Sequence, residues 1–316
     1  MKIRKIVLVG CGAVGTSFIY SAINQGLAQE YVLIDIFKDS AEGNALDLSD
    51  CQALLSETFV SIKAGDYKDC KDADIIVITA GRPQKPNETR IDMVVDNALI
   101  IKKIALEIKK TGFKGITIIA SNPVDIITAI YQKITGFDVH KVLSSGTLLD
   151  SSRLRYLIST KLDVNPKSIS AYVMGEHGDS SMVPWSCSSI MGKSMSEYIK
   201  EGKVTSKELD NIHQQTVDRA YQIIKLKKSS HYGIGVSLAL IVKTIINGQN
   251  EILMIGAYLQ GEYGETGFYN GVPAVINEHG WDRIVTLPLN KEEQEKFAKS
   301  CQIVKSTVDD VWNKIK

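Results

Sequence analysis

The sequence has almost no excess of charge of either sign. It contains 37 Lys and Arg against 36 Asp and Glu in 316 residues, a formal net charge of +1. A nucleic-acid surface needs a basic stripe with interleaved aromatic residues, and an anionic membrane attracts clustered Lys and Arg. The balanced charge provides neither, so we expect a small-molecule site and no nucleic-acid or membrane partner.

Cysteine is scarce, and its distribution excludes two further classes of protein. The five cysteines are odd in number and show no C-x-x-C spacing; they are Cys11, Cys51, Cys70, Cys187 and Cys301. Secreted disulfide scaffolds and zinc sites both require paired, closely spaced cysteines. The sequence therefore predicts reduced thiols, a cytoplasmic location and no metal.

The long uncharged run near the N-terminus is interrupted by glycines. Residues 6–29 carry no charge and follow a basic start, as in a secretory signal or a membrane span. Gly10, Gly12 and Gly15 would weaken an apolar helix, whereas a strand that turns sharply into a helix explains both the glycines and the missing charges. We expect this strand and helix; a signal peptide is the alternative.

The sequence GCGAVG at residues 10–15 is a candidate dinucleotide-binding turn. It follows the apolar run at residues 5–9 and precedes a helical pattern, and Asp35 ends the next strand 20 positions beyond Gly15. Glycines let backbone amides approach a pyrophosphate at a helix N-terminus, and the Asp35 carboxylate can accept ribose hydroxyls. A 2′-phosphate would be repelled, which favours NAD over NADP. The turn's candidate cofactor residues are Gly10, Gly12, Ala13, Val14 and Gly15; a glycine turn without a ligand is the alternative.

Strand-like and helix-like segments alternate through the first half of the chain. The predicted strands are 5–10, 31–36, 58–64, 73–81, 115–121 and 142–145, and all but the third and fourth are separated by helical segments of about ten residues or more. This alternation predicts an α/β fold with a Rossmann doubly wound parallel sheet. We place this domain at residues 1–143, followed by an α+β substrate domain at 144–316 that ends in an amphipathic helix. Ligands of such sheets bind at the carboxyl ends of the strands.

The most distinctive segment of the second half is MGEHGD, with His177 between two glycines. Glycine permits an unusual turn, and imidazole titrates near neutral pH, so His177 suits proton transfer. Asp150 and Arg153 share one face of a predicted helix at i, i+3 spacing. They could orient His177 and bind a substrate carboxylate, respectively. The alternatives are a packed loop histidine and a surface ion pair.

Two segments that follow strand ends are further candidates. Residues 81–90 (GRPQKPNETR) form a proline-containing flap with a hinge at Gly81, and Gln84 and Arg90 could close over a substrate. An ordinary solvated loop is the alternative. Asn122 precedes a proline at the end of another strand and offers an amide side chain.

These segments together resemble the L-lactate/malate dehydrogenase family over nearly the whole chain. The motifs are GCGAVG with Asp35, GRPQKPNETR, SNPVD, SSGTLLDSSRLR and GEHGDSSMVPWS. The resemblance implies an NAD-dependent oxidoreductase that acts on an L-2-hydroxy acid in glycolysis and fermentation, assembled as a homodimer or homotetramer. No metal is implied, because hydride passes directly between substrate and nicotinamide.

The resemblance also implies a role for each candidate residue. His177 would exchange the hydroxyl proton with Asp150 as its orienting carboxylate, and Arg90 would polarise the reacting carbonyl. Arg153 would bind the substrate carboxylate. The remaining implied contacts are Gln84, Asn122 and Ser230 for substrate, and Gly81, Asn122 and Ile234 for cofactor.

Substrate choice and regulation depend on single residues. Gln84 stands where malate enzymes of the family have Arg, so pyruvate/lactate is expected, with malate or a broader range of 2-hydroxy acids as the alternative. Ser230 replaces the more common Thr, which would enlarge the pocket. Arg155 matches one residue of the family's fructose 1,6-bisphosphate site, but Ser170 replaces a His, so weak or absent activation is expected. A non-catalytic NAD-binding scaffold would have lost part of this residue set, and none is lost.

Overall fold

The computed structural model describes residues 3–82 and 90–316, and only the backbone of residues 90–92. The strands are β1 (Lys5–Val9), β2 (Glu30–Ile34), β3 (Ser61–Ala64), β4 (Ile75–Ile78), β5 (Ile116–Ile119), β6 (Val142–Ser144), β7 (Ile169–Ser170), β8 (Ser189–Ile190), β9 (Lys193–Ser194), β10 (Glu251–Gln260), β11 (Thr266–Asn277) and β12 (Gly280–Ile284). The helices are α1 (Ala13–Asn24), α2 (Lys38–Asp50), α3 (Arg90–Lys110), α4 (Val124–Thr135), α5 (Leu148–Leu162), α6 (Met195–Lys200), α7 (Ser206–Lys227), α8 (Tyr232–Ile246) and α9 (Lys291–Ile315).

A single sheet of nine strands organises the described residues. Its order is β12-β11-β10-β6-β5-β4-β1-β2-β3, and the six strands from β6 to β3 are parallel. The antiparallel strands β10, β11 and β12 extend it beyond β6. The chain order reverses between β1 and β4, which is where a doubly wound sheet opens a crevice for a ligand. The predicted fold class is therefore confirmed.

The central strands are almost entirely apolar because helices cover both faces of the sheet. Every residue of β1, β4 and β5 is buried, as expected for parallel strands packed on two sides. Because these strands are also parallel, the residues that follow them lie at the same edge of the sheet. Within residues 3–82 and 90–316, no helix has the length and apolar character needed to cross a membrane.

Two features of the second half differ from the sequence pattern. Apolar residues predict a helix near residues 236–246, whereas helix α8 already begins at Tyr232. The first turn of α8 contains Gly233 and Gly235. Gly235 packs against Ser17 of α1 so closely that a Cβ would lie 2.8 Å from the Ser17 backbone. The three-stranded sheet β7-β8-β9 was not predicted, because two-residue strands are too short to show an alternating pattern.

The C-terminal helix α9 forms part of the core. Its predicted apolar stripe is buried: Phe297, Cys301, Val304, Val308, Val311 and Ile315. Asn290 caps the helix, with reciprocal hydrogen bonds between its side chain and backbone and those of Glu293. The helix packs against α3, α4 and β11, so it joins the parallel and antiparallel parts of the sheet.

We predict that Phe297→Ala destabilises the fold far more than Ile303→Ala on the same helix. Phe297 is 1% exposed and Ile303 is 38% exposed. Removing a buried phenyl ring costs about 3–5 kcal/mol, and truncating a partly exposed Ile costs much less. Urea denaturation at one fixed protein concentration measures both. Equal midpoints for the two variants would contradict the core position of α9.

Candidate active site

His177 lies in a loop between β7 and β8, which we call the histidine loop (residues 174–182). Its imidazole Nδ1 is 2.6 Å from Asp150 Oδ2, and its side chain is 27% exposed. Because Asp150 binds Nδ1, the Nε2 side of the ring is available to a ligand. The geometry is that of a histidine oriented by a carboxylate.

The other Asp150 oxygen binds an arginine on the same turn of α5. Arg153 donates from Nη1 to Asp150 Oδ1 at 3.0 Å and from Nη2 to Ser230 Oγ at 3.2 Å. The Arg153 side chain is 8% exposed, so this is not a solvated surface ion pair. The structure thus brings together four predicted site residues: His177, Asp150, Arg153 and Ser230.

Opposite charges determine the protonation of this cluster. Burial by itself favours the neutral acid of Asp150, but the attraction of His177 and Arg153 outweighs it and lowers the pKa of Asp150. The Asp150 charge in turn raises the pKa of His177 above its usual value, against the effect of burial. Asp150 stays ionised, and the imidazolium form of His177 is stabilised.

The backbone amides on both sides of His177 are all hydrogen-bonded. The five consecutive amides of residues 174–178 donate, in order, to the carbonyl of Met182 (2.8 Å), the carbonyl of Gly271 (2.9 Å), Ser300 Oγ (2.8 Å), Asp125 Oδ2 (2.9 Å) and the carbonyl of Glu176 (2.8 Å). Two of these acceptors are side chains on other helices. The position of His177 is therefore determined by α4 and α9 as well as by its own loop.

The second oxygen of Asp125 is buried without a partner. Oδ1 has no hydrogen bond, and Asp125 is 1% exposed. Burial is the main cause that raises the pKa of Asp125 to about 7. A titratable carboxyl therefore lies directly beneath the histidine loop, and the sequence analysis did not identify it.

The predicted dinucleotide turn connects β1 to α1. Gly10 has φ +105°, and a Cβ there would lie within 2.5 Å of the Ala80 backbone. A Cβ on Gly15 would lie 2.1 Å from the Gly10 carbonyl, whereas one on Gly12 would meet nothing within 4 Å. Gly10 and Gly15 let the turn pack tightly, and Gly12 leaves open space in front of α1.

The open space at Gly12 fits a phosphate group. Helix α1 begins at Ala13 with no side-chain cap, so the first amides of the helix, including those of Ala13 and Val14, have no helical acceptors. Asp35 follows β2 and accepts from the Cys11 amide at 2.6 Å and from the Phe37 amide at 2.9 Å. It orders the turn and keeps further lone pairs that can accept ribose hydroxyls. These residues fit a dinucleotide.

Asn97 of α3 joins two of the other predicted segments. Its side chain accepts from the Arg82 amide at 2.9 Å and donates to the carbonyls of Arg82 at 3.2 Å and Asn122 at 2.8 Å. Gly81 lies against this amide, and the Asn122 side chain is exposed at the end of β5. Gln84 lies outside the described residues, as does the side chain of Arg90, the first residue of α3.

Helix α8 connects the histidine cluster to the dinucleotide turn. A Cβ on Gly233 would lie 2.6 Å from the Leu149 side chain of α5, and Gly235 contacts α1. Between them, Ile234 is partly buried against the main core. The two predicted sites therefore flank one helix end, and Ser230 and Ile234 lie between them.

Sequence reasoning missed Asn97, Asp125 and Ser300 as supports of the site. Asp125 could have been found, because it belongs to the SNPVD motif and opens a helix after a strand end. Asn97 and Ser300 lie inside long helices, where a single polar residue shows no local signal. Their contacts are tertiary and depend on the packed fold.

Comparisons with known proteins identify the family of this chain. Residues 4–144 match the lactate/malate dehydrogenase NAD binding domain, and residues 147–315 match the lactate/malate dehydrogenase alpha/beta C-terminal domain. The L-lactate dehydrogenase of Mycoplasma mycoides subsp. mycoides is 59% identical over 308 residues, which cover 98% of this chain and 97% of that protein.

Solved structures of lactate and malate dehydrogenases are also similar to this chain. The ligand-bound minor L-lactate dehydrogenase of Enterococcus mundtii has a TM-score of 0.96 and 42% identity, with 98% of each chain covered. Malate dehydrogenase from Plasmodium falciparum has a TM-score of 0.94 and 31% identity, and covers 99% of this chain and 100% of its own. The chain belongs to the lactate/malate dehydrogenase family of NAD-dependent oxidoreductases.

Proposed function

We propose that this protein is an L-lactate dehydrogenase that interconverts pyruvate and L-lactate with NAD. The observation that carries the proposal is the His177, Asp150 and Arg153 cluster, in which one carboxylate orients an imidazole and a buried guanidinium. A 2-hydroxy acid needs both a proton acceptor at its hydroxyl and a cation at its carboxylate. The cluster offers both within one loop and one helix.

His177 acts as the proton donor and acceptor in this proposal. During reduction the imidazolium gives its Nε2 proton to the carbonyl oxygen of the substrate, and during oxidation the neutral ring takes the hydroxyl proton back. Asp150 holds the ring through Nδ1 and stabilises the charged form. Bound NADH supplies the hydride. Arg153 anchors the substrate carboxylate, helped by Ser230 at 3.2 Å from Nη2.

The remaining site residues have proposed roles that follow from their positions. Arg90 is the first residue of α3, after the flap, and would polarise the carbonyl, while Asn122 at the end of β5 would orient it. The dinucleotide turn and Asp35 would hold the cofactor's pyrophosphate and ribose. Gly81 and Ile234 would border the nicotinamide. Closure of the flap over the substrate would exclude water while hydride and proton are transferred.

The choice of pyruvate over oxaloacetate rests on Gln84. Oxaloacetate carries a second carboxylate that needs a cationic partner, and a neutral amide suits the methyl group of pyruvate better. Relatives named L-lactate dehydrogenase share 59% of this sequence, and the malate dehydrogenase noted above shares 31%. The higher identity to the enzymes named L-lactate dehydrogenase supports pyruvate.

We also propose a cytoplasmic homodimer or homotetramer that serves glycolysis and fermentation. All five cysteines are unpaired, which is typical of a reducing compartment. Helices α1, α2 and α8 border a cavity of about 660 Å³ whose lining includes the exposed side chains of Tyr20, Tyr232 and Val236. A second subunit would cover this apolar surface. Residues 1–143 would form the NAD-binding domain and residues 144–316 the substrate domain, in keeping with the change of family profile between residues 144 and 147.

The substrate proposal predicts a preference that one residue can reverse. Wild type should reduce pyruvate with a higher kcat/KM than oxaloacetate, and Gln84→Arg should shift the ratio toward oxaloacetate by about 10²-fold or more. The decrease of NADH absorbance at 340 nm measures both. Lys85→Arg puts the same group one residue away and should leave the ratio within a few-fold. Wild-type preference for oxaloacetate would contradict the lactate assignment.

The proton-transfer proposal predicts a pH profile that Asp150 controls. Pyruvate reduction needs the imidazolium, so kcat/KM should fall as pH rises through the raised pKa of His177. Asp150→Asn removes the main cause of that raised pKa, so the midpoint should move to lower pH. The rate should also fall about 10²-fold. Asp179 is an exposed carboxylate two residues after His177, and Asp179→Asn should change neither the midpoint nor the rate. An unmoved midpoint in Asp150→Asn would refute the pairing of Asp150 with His177.

Asp125 predicts a pH dependence of stability. Its pKa is raised to about 7, so between about pH 4 and 7 the folded state binds more protons than the unfolded state, and the free energy of unfolding declines as pH rises. The decline from this group is about 4 kcal/mol at most. Asp125→Asn should flatten the curve over this range. Urea titrations at several pH values measure it, and parallel curves for the two proteins would show that Asp125 titrates normally.

A further inference from the structure

We propose that Ser300 of the C-terminal helix is a positioning residue that holds the histidine loop in its catalytic geometry. Ser300 lies 124 residues beyond Glu176 in the sequence and is fully buried on α9. The proposal rests on the dehydrogenase function above and deepens it. It assigns to α9 a direct role in placing His177.

Ser300 closes a ring of hydrogen bonds with two residues of the histidine loop. The Glu176 amide donates to Ser300 Oγ at 2.8 Å, Ser300 Oγ is 3.0 Å from Ser180 Oγ, and Ser180 Oγ donates to Glu176 Oε2 at 2.5 Å. Glu176 is thus bound at its amide and at its carboxylate. His177 lies in the sequence between Glu176 and Ser180, the two members of the ring that belong to the histidine loop.

The chemistry of the groups fixes the direction of each hydrogen bond. The Ser180 hydroxyl donates its hydrogen bond to Glu176 Oε2, so the Ser180 oxygen is left to accept from Ser300. The Ser300 oxygen accepts from the Glu176 amide, and its own proton is therefore directed to Ser180. Each hydroxyl donates once and accepts once, and replacing either serine leaves a polar group without its partner.

The histidine loop packs closely against Ser300 at Gly175. Gly175 has φ +92°, and a Cβ there would lie 2.5 Å from Ser300 Oγ. Glu176 is 5% exposed, so water does not readily replace a lost partner. The Ser300 hydroxyl is therefore both the acceptor for Glu176 and a packing surface for Gly175.

The ring acts on His177 through the adjacent peptide. The amides of Glu176 and His177 are consecutive, and their acceptors are Ser300 on α9 and Asp125 on α4. With the Ser300 oxygen removed, the buried Glu176 amide lacks an acceptor, and the loop can recover one only by moving. A shift of His177 by a fraction of an ångström slows proton transfer, because reaction rates depend steeply on the alignment of the reacting atoms.

The test compares Ser300→Ala with Ser306→Ala, the same substitution at an exposed position of α9. In Ser300→Ala, kcat for pyruvate reduction should fall at least tenfold. The KM for pyruvate and the Kd for NADH should stay within about threefold, because Arg153 and the dinucleotide turn are untouched. Ser306→Ala should match wild type. The stoichiometry of NADH binding corrects kcat for any misfolded fraction.

A second variant and a second measurement separate positioning from simple destabilisation. Ser180→Ala opens the ring from its half-buried side but keeps the Glu176 to Ser300 hydrogen bond, so its kcat should lie between those of wild type and Ser300→Ala. Hydrogen exchange of the amides in residues 174–182, measured without substrate, should speed up in the same order. If Ser300→Ala does not fold, Ser180→Ala decides the question.

Several outcomes would overturn the proposal. They are an unchanged kcat in Ser300→Ala with full NADH binding, a fall in affinity alone, and faster exchange with no loss of kcat. Failure of wild type to reduce any 2-oxo acid would instead remove the proposed function. The exchange comparison would then still decide whether Ser300 holds the loop.

Discussion

The hydrogen bond between His177 Nδ1 and Asp150 Oδ2, 2.6 Å long, is the interaction on which the proposed chemistry depends. It joins a loop of the second half of the chain to the first turn of α5, and it determines both the orientation of the ring and the stability of its charged form. Arg153 shares the same carboxylate. A single buried anion thus organises the proposed proton-transfer group and the cation beside it, and any movement of α5 would disturb both.

This interaction persists because the backbone around His177 is held from several directions. Gly175 pairs with Gly271 of β11, Glu176 with Ser300 of α9 and His177 with Asp125 of α4. Buried amides must find acceptors, and here the acceptors belong to elements that are far apart in the sequence. The nine-stranded sheet joins the parallel strands to β10, β11 and β12. This sheet therefore fixes the distance between the dinucleotide turn and the histidine loop.

The sequence predicted the parts of this structure that have a local cause. Alternating apolar strands and helices predicted the doubly wound sheet, and the glycine spacing with Asp35 predicted the turn in front of α1. The i, i+3 spacing of Asp150 and Arg153 placed them on one helix face. Ser300 and Asn97 had no such signal, because a polar residue in a helix shows its partner only after the helices pack. Asp125 was overlooked within a recognised motif, since its burial follows from the tertiary packing around α4.

The most direct test of the proposed mechanism is the rate of pyruvate reduction by His177→Gln, which removes the proposed proton donor and keeps a polar side chain of similar length. We expect kcat/KM to fall about 10²–10⁴-fold, while NADH binding, followed by nucleotide fluorescence, stays close to that of wild type. A variant that keeps its rate within about threefold would contradict the mechanism, because the substrate proton would then have another source.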